Sequence, residues 1–171
     1  GAVAHWRRAL SGQAAGMCPG LVTRPDLVLF LPPFNGLTIY MMGDVDSIAE
    51  ESKPLTVRLH DESYDSELFG SHSSTGRAWL TFSIEECCKA AQAGGAGLII
   101  YSRQEGNGLG EVSKFLVHNA RASLGDSVDN FITQQQRVTG TADLRLVELA
   151  ADPLLWLGVT KIDKFITGSL R

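Results

Sequence analysis

Apolar and polar positions change their period several times along the chain, and each change marks an element. After a first apolar run at Leu27 to Leu31, stopped by Pro32-Pro33, the segment Leu37 to Met42 is rich in β-formers and bounded by Gly36 and Gly43. Ser47 to Lys53 is a polar connector, and Pro54 to His60 (PLTVRLH) alternates as a strand does. From Arg77 to Ala93 the period becomes helical, with Leu80, Ile84, Cys87, Cys88 and Ala91 on one predicted inward face and Gly94-Gly95 as the stop. Gly97 to Tyr101 (GLIIY) reads as a buried strand. A polar glycine-rich turn follows at Arg103 to Gly108, then a helix to about Ala122 with Val112, Phe115, Leu116 and Ala120 inward.

The remaining segments are less regular. His5 to Leu10 suggests a short helix, and Ser127 to Gly140 is polar enough to read as a surface crossing. Asp143 to Ala150 looks helical, Asp152-Pro153 opens a further turn with Pro in its first position, and Lys161 to Ile166 is the last strand. Strand, helix, strand, loop and helix in this order predict an α/β or α+β domain, a mixed sheet flanked by helices with its site at strand ends. A segment 1–20 followed by one domain over 21–171 is the expected organisation.

Composition narrows the function classes. The 171 residues, 44% hydrophobic, suffice for one core, and a formal charge of -4 gives no basic stripe for a nucleic-acid polymer. No stretch has the ~20 apolar residues of a membrane span. Cys18, Cys87 and Cys88 match neither a disulfide framework nor a zinc spacing, which suggests a reducing, cytoplasmic setting.

Three polar clusters are candidates for chemistry: Arg58, His60, Asp61 and Glu62 at a strand end; Arg103 to Gly108 with Lys114 and His118, one turn apart on the next helix; and Thr141, Asp143 and Arg145. Gly106 to Gly110 is not a GxGxxG loop, and no Walker lysine stands at the right offset.

The run IIYSRQEGNGLGEVSKFLVHNAR resembles the strand, RQEGRxxG loop and helix of GTP cyclohydrolase II, TADLR its ADxRD stretch, and VRLHDE its VRVHSE. LVTRPDLxxFLPPxxGLT, LTVRLHDE, LGEVSKFLVHNAR and LLWLGVTKID resemble the branch implicated in uracil catabolism more closely. The likeness runs from Gly20 to Ile166 and implies a single GTP cyclohydrolase II-like domain. In that family three cysteines hold a zinc that activates water; here their positions carry Ser63, Ser74 and Gly76, which are poor ligands or none. The expectation is therefore no metal and no cofactor, with His60 or His72 the conceivable replacement ligands.

The resemblance implies roles residue by residue. Asp143 stands at the proton acceptor and Arg145 at the arginine thought to attack the α-phosphate. Arg58 and Glu62 stand in the substrate loop, and Glu105-Gly106 in the loop that touches base or phosphate. Asn107 replaces an arginine, Trp79 a base-reading glutamine, and His118 a catalytic tyrosine. Tyr101, Lys114 and Thr167 complete the expected substrate-binding set, with His118, Asp143 and Arg145 as the catalytic one.

These substitutions imply acid/base chemistry on a small molecule other than GTP: cyclisation, isomerisation, elimination or metal-free hydrolysis. A cyclohydrolase opening a purine or pyrimidine ring and a non-catalytic ligand-binding relative are the alternatives. The family resemblance also implies a homodimer, to which Phe30 to Phe34 would contribute.

Overall fold

The computed structural model describes residues 36–122, 128–141, 143, 145 and 150–168. The expectations for His5 to Leu10, Leu27 to Leu31, Phe30 to Phe34 and Cys18 lie outside them. Four strands form one mixed sheet: β1 (Leu37–Gly43), β2 (Leu55–Asp61), β3 (Ala96–Ser102) and β4 (Lys164–Ile166), in the order β1-β3-β2-β4. β1 runs antiparallel to β3, while β2 lies parallel to both β3 and β4. The helices are α1 (Tyr64–Glu67), α2 (Gly76–Gln92), α3 (Glu111–Ala122), α4 (Val128–Thr139) and α5 (Ala151–Trp156). This is the α/β architecture expected from the order of elements. No helix among the described residues is long and apolar enough to cross a membrane.

The period of two along β2 and β3 separates two faces. Leu55, Val57, Ala96, Leu98 and Ile100 form an apolar core with Ile48, and Leu154 of α5 and Leu157 just after it pack against it. The intervening residues of β2, namely Thr56, Arg58 and His60, are buried too, although they are polar. In register they stand beside Gly97, Ile99 and Tyr101 of β3. A strand buried on both faces with charge on one of them is costly unless that charge is paired or used. That polar row is where the site begins.

Helix α2 packs on this second face through small side chains. Ser83, Cys87 and Ala90, spaced at i, i+4 and i+7, are its buried positions, whereas the predicted inward Ile84 is 41% exposed. The stripe is small because the sheet comes close: a Cβ on Gly97 would lie 2.3 Å from Cys87 Cβ and 2.5 Å from its Cα. Gly97→Ala is therefore expected to push α2 off the sheet and cost about 2–3 kcal/mol, measurable as a lowered urea midpoint.

Four other expectations are corrected. On α3, Lys114 and Val117 face inward, while Val112, Phe115 and Leu116 are exposed. The helix is rotated because the carboxylates that meet Lys114 make its burial favourable. Ser127 to Gly140 is largely helix α4, packed on α3; its buried Gln134 and Gln135 hid the amphipathic signal, since the contact is partly made with amides. Asp143 and Arg145 are not helical. Arg145 N–H donates to Asp143 Oδ1 at 2.8 Å, a local turn that competes with a helix start. Helix α5 begins at Ala151, so Pro153 is its third residue rather than its first, still in the turn that needs no N–H donor.

Candidate active site

The polar face of β2 delivers Arg58 and His60 to the carboxyl ends of the parallel strands. Arg58 is 5% exposed and lies under Trp79 of α2, its guanidinium carbon 5.6 Å from the ring centroid. Its Nη2 donates to His60 Nδ1 at 3.3 Å, so the ring proton belongs on Nε2, which meets Glu67 Oε1 at 2.7 Å. Glu67 Oε2 accepts from Tyr101 O–H at 2.6 Å, and Glu62 Oε1 lies 3.4 Å from the same hydroxyl. His60 and Tyr101 also stack, with centroids 5.4 Å apart.

Burial pushes the Tyr101 phenol well up, and Glu67 beside it pushes it further, so it stays a donor. Burial alone would raise Glu67, but the hydrogen bonds from His60 and Tyr101 outweigh it and hold the carboxyl below its usual range. Arg58 is different. Burial lowers its pKa, and its Nε and Nη1 have no hydrogen-bond partner among the described residues. Gly168, just past Thr167 and β4, keeps the adjacent space clear of side chain: a Cβ there would stand 3.3 Å from Arg58 Nη2. Thr167 itself is exposed.

A second cluster forms where α1, the loop after β3 and α3 meet. Lys114 Nζ donates to Ser63 Oγ at 2.8 Å, Asp65 Oδ1 at 2.5 Å and Glu105 Oε1 at 2.7 Å. Glu105 Oε2 accepts from Tyr64 N–H, which fastens α1 to the loop. Burial would raise Asp65, yet the Lys114 contact and the Ser63 hydroxyl hold its carboxyl low. Asn107, at a left-handed φ of 58°, donates to Gln135 of α4 at 3.1 Å. His118 is half-buried one turn beyond Lys114.

A third group joins the end of β2. Arg145 pairs with Asp143 (Nη2 to Oδ2, 2.5 Å) and reaches Asp61 Oδ2 at 2.9 Å, beside Glu62. The Asp143 hydrogen bond raises the Arg145 pKa despite burial. A groove of about 550 Å³ opens near the serines, its lining including Ser66, His72, Ser74, Arg77, Phe82 and Glu85.

The chain from residue 36 to 167 matches the family model described as GTP cyclohydrolase II. The chain belongs to the GTP cyclohydrolase II family. It is 47% identical over 95% of its length to a putative GTP cyclohydrolase, URC1, of Lachancea kluyveri, and equally to uracil-regulated protein 1 of Schizosaccharomyces pombe. It is 30% identical over 77% of its length to the riboflavin biosynthesis protein RibBA of Bacillus subtilis. The chain spans 37% of the length of the first two and 30% of the third.

These residues do not fit the zinc that the resemblance implies. The three positions do converge: Ser63 Oγ and Ser74 Oγ are 2.7 Å apart, and a Cβ on Gly76 would lie 2.6 Å from Ser63 Cβ. Yet Ser63 Oγ accepts from Lys114 and Ser74 and donates to Asp65, which uses both lone pairs and its proton. Both ring nitrogens of His60 are engaged, and His72 is exposed in the groove wall. Among the described residues no three His, Cys, Asp or Glu side chains gather as a metal site.

Sequence reasoning passed over Asp65 and Glu67, which organise both clusters. The signal was there: two carboxylates two residues apart, immediately after RLHDE, in a segment otherwise made of small polar residues.

Proposed function

We propose that this chain is a diverged, zinc-independent member of the GTP cyclohydrolase II family, an acid/base catalyst on a small molecule other than GTP. The observation that carries the reading is the buried Arg58 guanidinium, with two unpartnered donors beneath Trp79. A buried cation with unsatisfied donors is expensive, even with Asp61 and the Trp79 ring nearby, and its retention fits a site that binds an anionic or carbonyl group. Trp79 offers the planar surface on which a ring would stack. Arg145, Glu62 and Tyr101 stand at the same strand ends, while Glu105 and Asn107 hold the loop facing them. His118 and Asp143 serve as the acid/base pair, one an imidazole on α3 and the other a carboxylate hydrogen-bonded to Arg145. Cyclisation, isomerisation, elimination or hydrolysis without metal are the reactions such a pair supports. A homodimer in the cytoplasm is the setting that goes with this reading.

The relatives' names favour a second reading, a cyclohydrolase that opens a purine or pyrimidine ring. Incubating the protein with GTP, UMP and uridine, with and without added zinc, separates the two. No ring opening is expected in either condition. Turnover of a substrate found in a metabolite panel is expected to fall about 100-fold or more in His118→Ala and Asp143→Asn. Zinc-dependent opening of GTP would establish the second reading instead. Saturable binding without turnover of any compound would mark a ligand-binding relative.

A further inference from the structure

We propose that the Lys114 ammonium is a built-in cation, held where the family's metal positions converge, that fixes the active-site loops and keeps a dication out. Lys114 is 8% exposed, and the three protons of its ammonium meet three oxygens from separate parts of the chain. Ser63 precedes α1, Asp65 lies within it, and Glu105 belongs to the loop after β3. Each oxygen donor is anchored in turn. Ser63 Oγ meets Ser74 Oγ at 2.7 Å, Asp65 Oδ2 accepts from Ser73 Oγ at 3.1 Å, and Glu105 accepts from the N–H groups of Tyr64 and Gly106.

Two carboxylates and one hydroxyl around one cation have the composition of a hard-cation cage, but here the cation is covalently part of helix α3. A tethered ammonium carries one charge and three directed donors, cannot be chelated away, and makes the approach of a second cation repulsive. Lys114 is accordingly a positioning residue. It sets Glu105 and the start of α1 relative to α3, and with them His118 on the next turn.

The assignment rests on the zinc-independent part of the proposed function and on no turnover. A chain inert toward every substrate but with a lysine-filled cage would remove the catalytic reading alone.

Lys114→Ala leaves two carboxylates and one hydroxyl around an empty volume. Hard oxygen donors of this kind prefer Mn²⁺ or Mg²⁺ to a soft-ligand zinc site. The variant is expected to melt roughly 10 °C below the wild type. It should then regain much of that on addition of Mn²⁺ or ethylammonium, and take up one Mn²⁺ per chain by electron paramagnetic resonance. Tetramethylammonium, which has no N–H donor, should not restore it. Lys114→Met, which fills the volume without charge, should respond to neither cation. Equal Mn²⁺ uptake by wild type and Lys114→Ala, or equal rescue of Lys114→Ala and Lys114→Met, would overturn the proposal.

The wild-type protein supplies a measurement that needs no variant to fold. A slowly exchanging Lys114 ¹⁵N–H₃⁺ resonance at neutral pH, unmoved by added Zn²⁺ or Mn²⁺, is the expected result. Loss of that resonance on adding either metal would equally overturn it.

Discussion

Glu67→Ala is expected to destabilise the protein by about 3–5 kcal/mol, which for a chain of this size lowers the melting temperature by roughly 10 °C or more. The carboxylate is 8% exposed and receives three donors: His60 Nε2, Tyr101 O–H and Ser63 N–H at 3.0 Å. Removing it strands the His60 and Ser63 donors and leaves Tyr101 only the long contact to Glu62, and the cost of stranded buried donors exceeds the net worth of the bonds they made. Glu67→Gln keeps the shape and one acceptor oxygen, so it should lose only about 1–2 kcal/mol. The two variants together separate lost packing from lost hydrogen bonding.

The same geometry sets a pH dependence. Glu67 and Asp65 both have carboxyls held below their unfolded values, so the folded state binds fewer protons than the unfolded one near pH 4. Their contribution is complete above the unfolded pKa of about 4 and is lost as pH falls through the lower folded values. Urea titrations between about pH 3 and 7 should therefore show stability dropping on the acid side, and the drop should be shallower in Glu67→Gln and in Asp65→Asn. An unchanged slope in both variants would mean that these carboxylates are not held as described.

Much of the sheet was legible because its strands keep a period of two or are short apolar runs between glycines. The ends of β1, β2 and β3 fall within a residue or two of those read from the sequence. Helix faces were harder. On α3 the apolar stripe Val112, Phe115 and Leu116 reads as inward, but a lysine with two carboxylate partners outcompetes it for the buried side. Hydrophobic periodicity has no means of registering partners that are distant in sequence. Helix α4 was missed for a related reason, since glutamines occupy its buried positions. The site was partly legible: Arg58, Glu62, Glu105 and Arg145 could be named from motif register. That Glu67 and Asp65 would bind two separate clusters together depends on the short helix α1 meeting His60, Tyr101 and the loop after β3 at once, which no spacing rule supplies.

Arg58→Met is expected to part stability from binding. The guanidinium is buried with Nε and Nη1 unpartnered, and its only hydrogen bond among the described contacts is the 3.3 Å one to His60. A methionine of similar length would keep the packing against Trp79 and remove a buried charge with two unsatisfied donors, so stability should hold or rise by up to about 2 kcal/mol. Loss of a charged donor pair should in contrast weaken binding of an anionic ligand by about 100-fold, a difference of roughly 2.7 kcal/mol. Arg58→Lys should not restore it, because an ammonium lacks the planar fork and is more strongly hydrated. Isothermal titration with UMP and with inorganic phosphate, beside a urea melt of each variant, measures both quantities. If Arg58→Met destabilised by more than about 2 kcal/mol and bound both probes as the wild type does, Arg58 would be a structural residue. An arginine held at a cost to the fold, and released from that cost only by a ligand, is what a binding site built on β2 predicts.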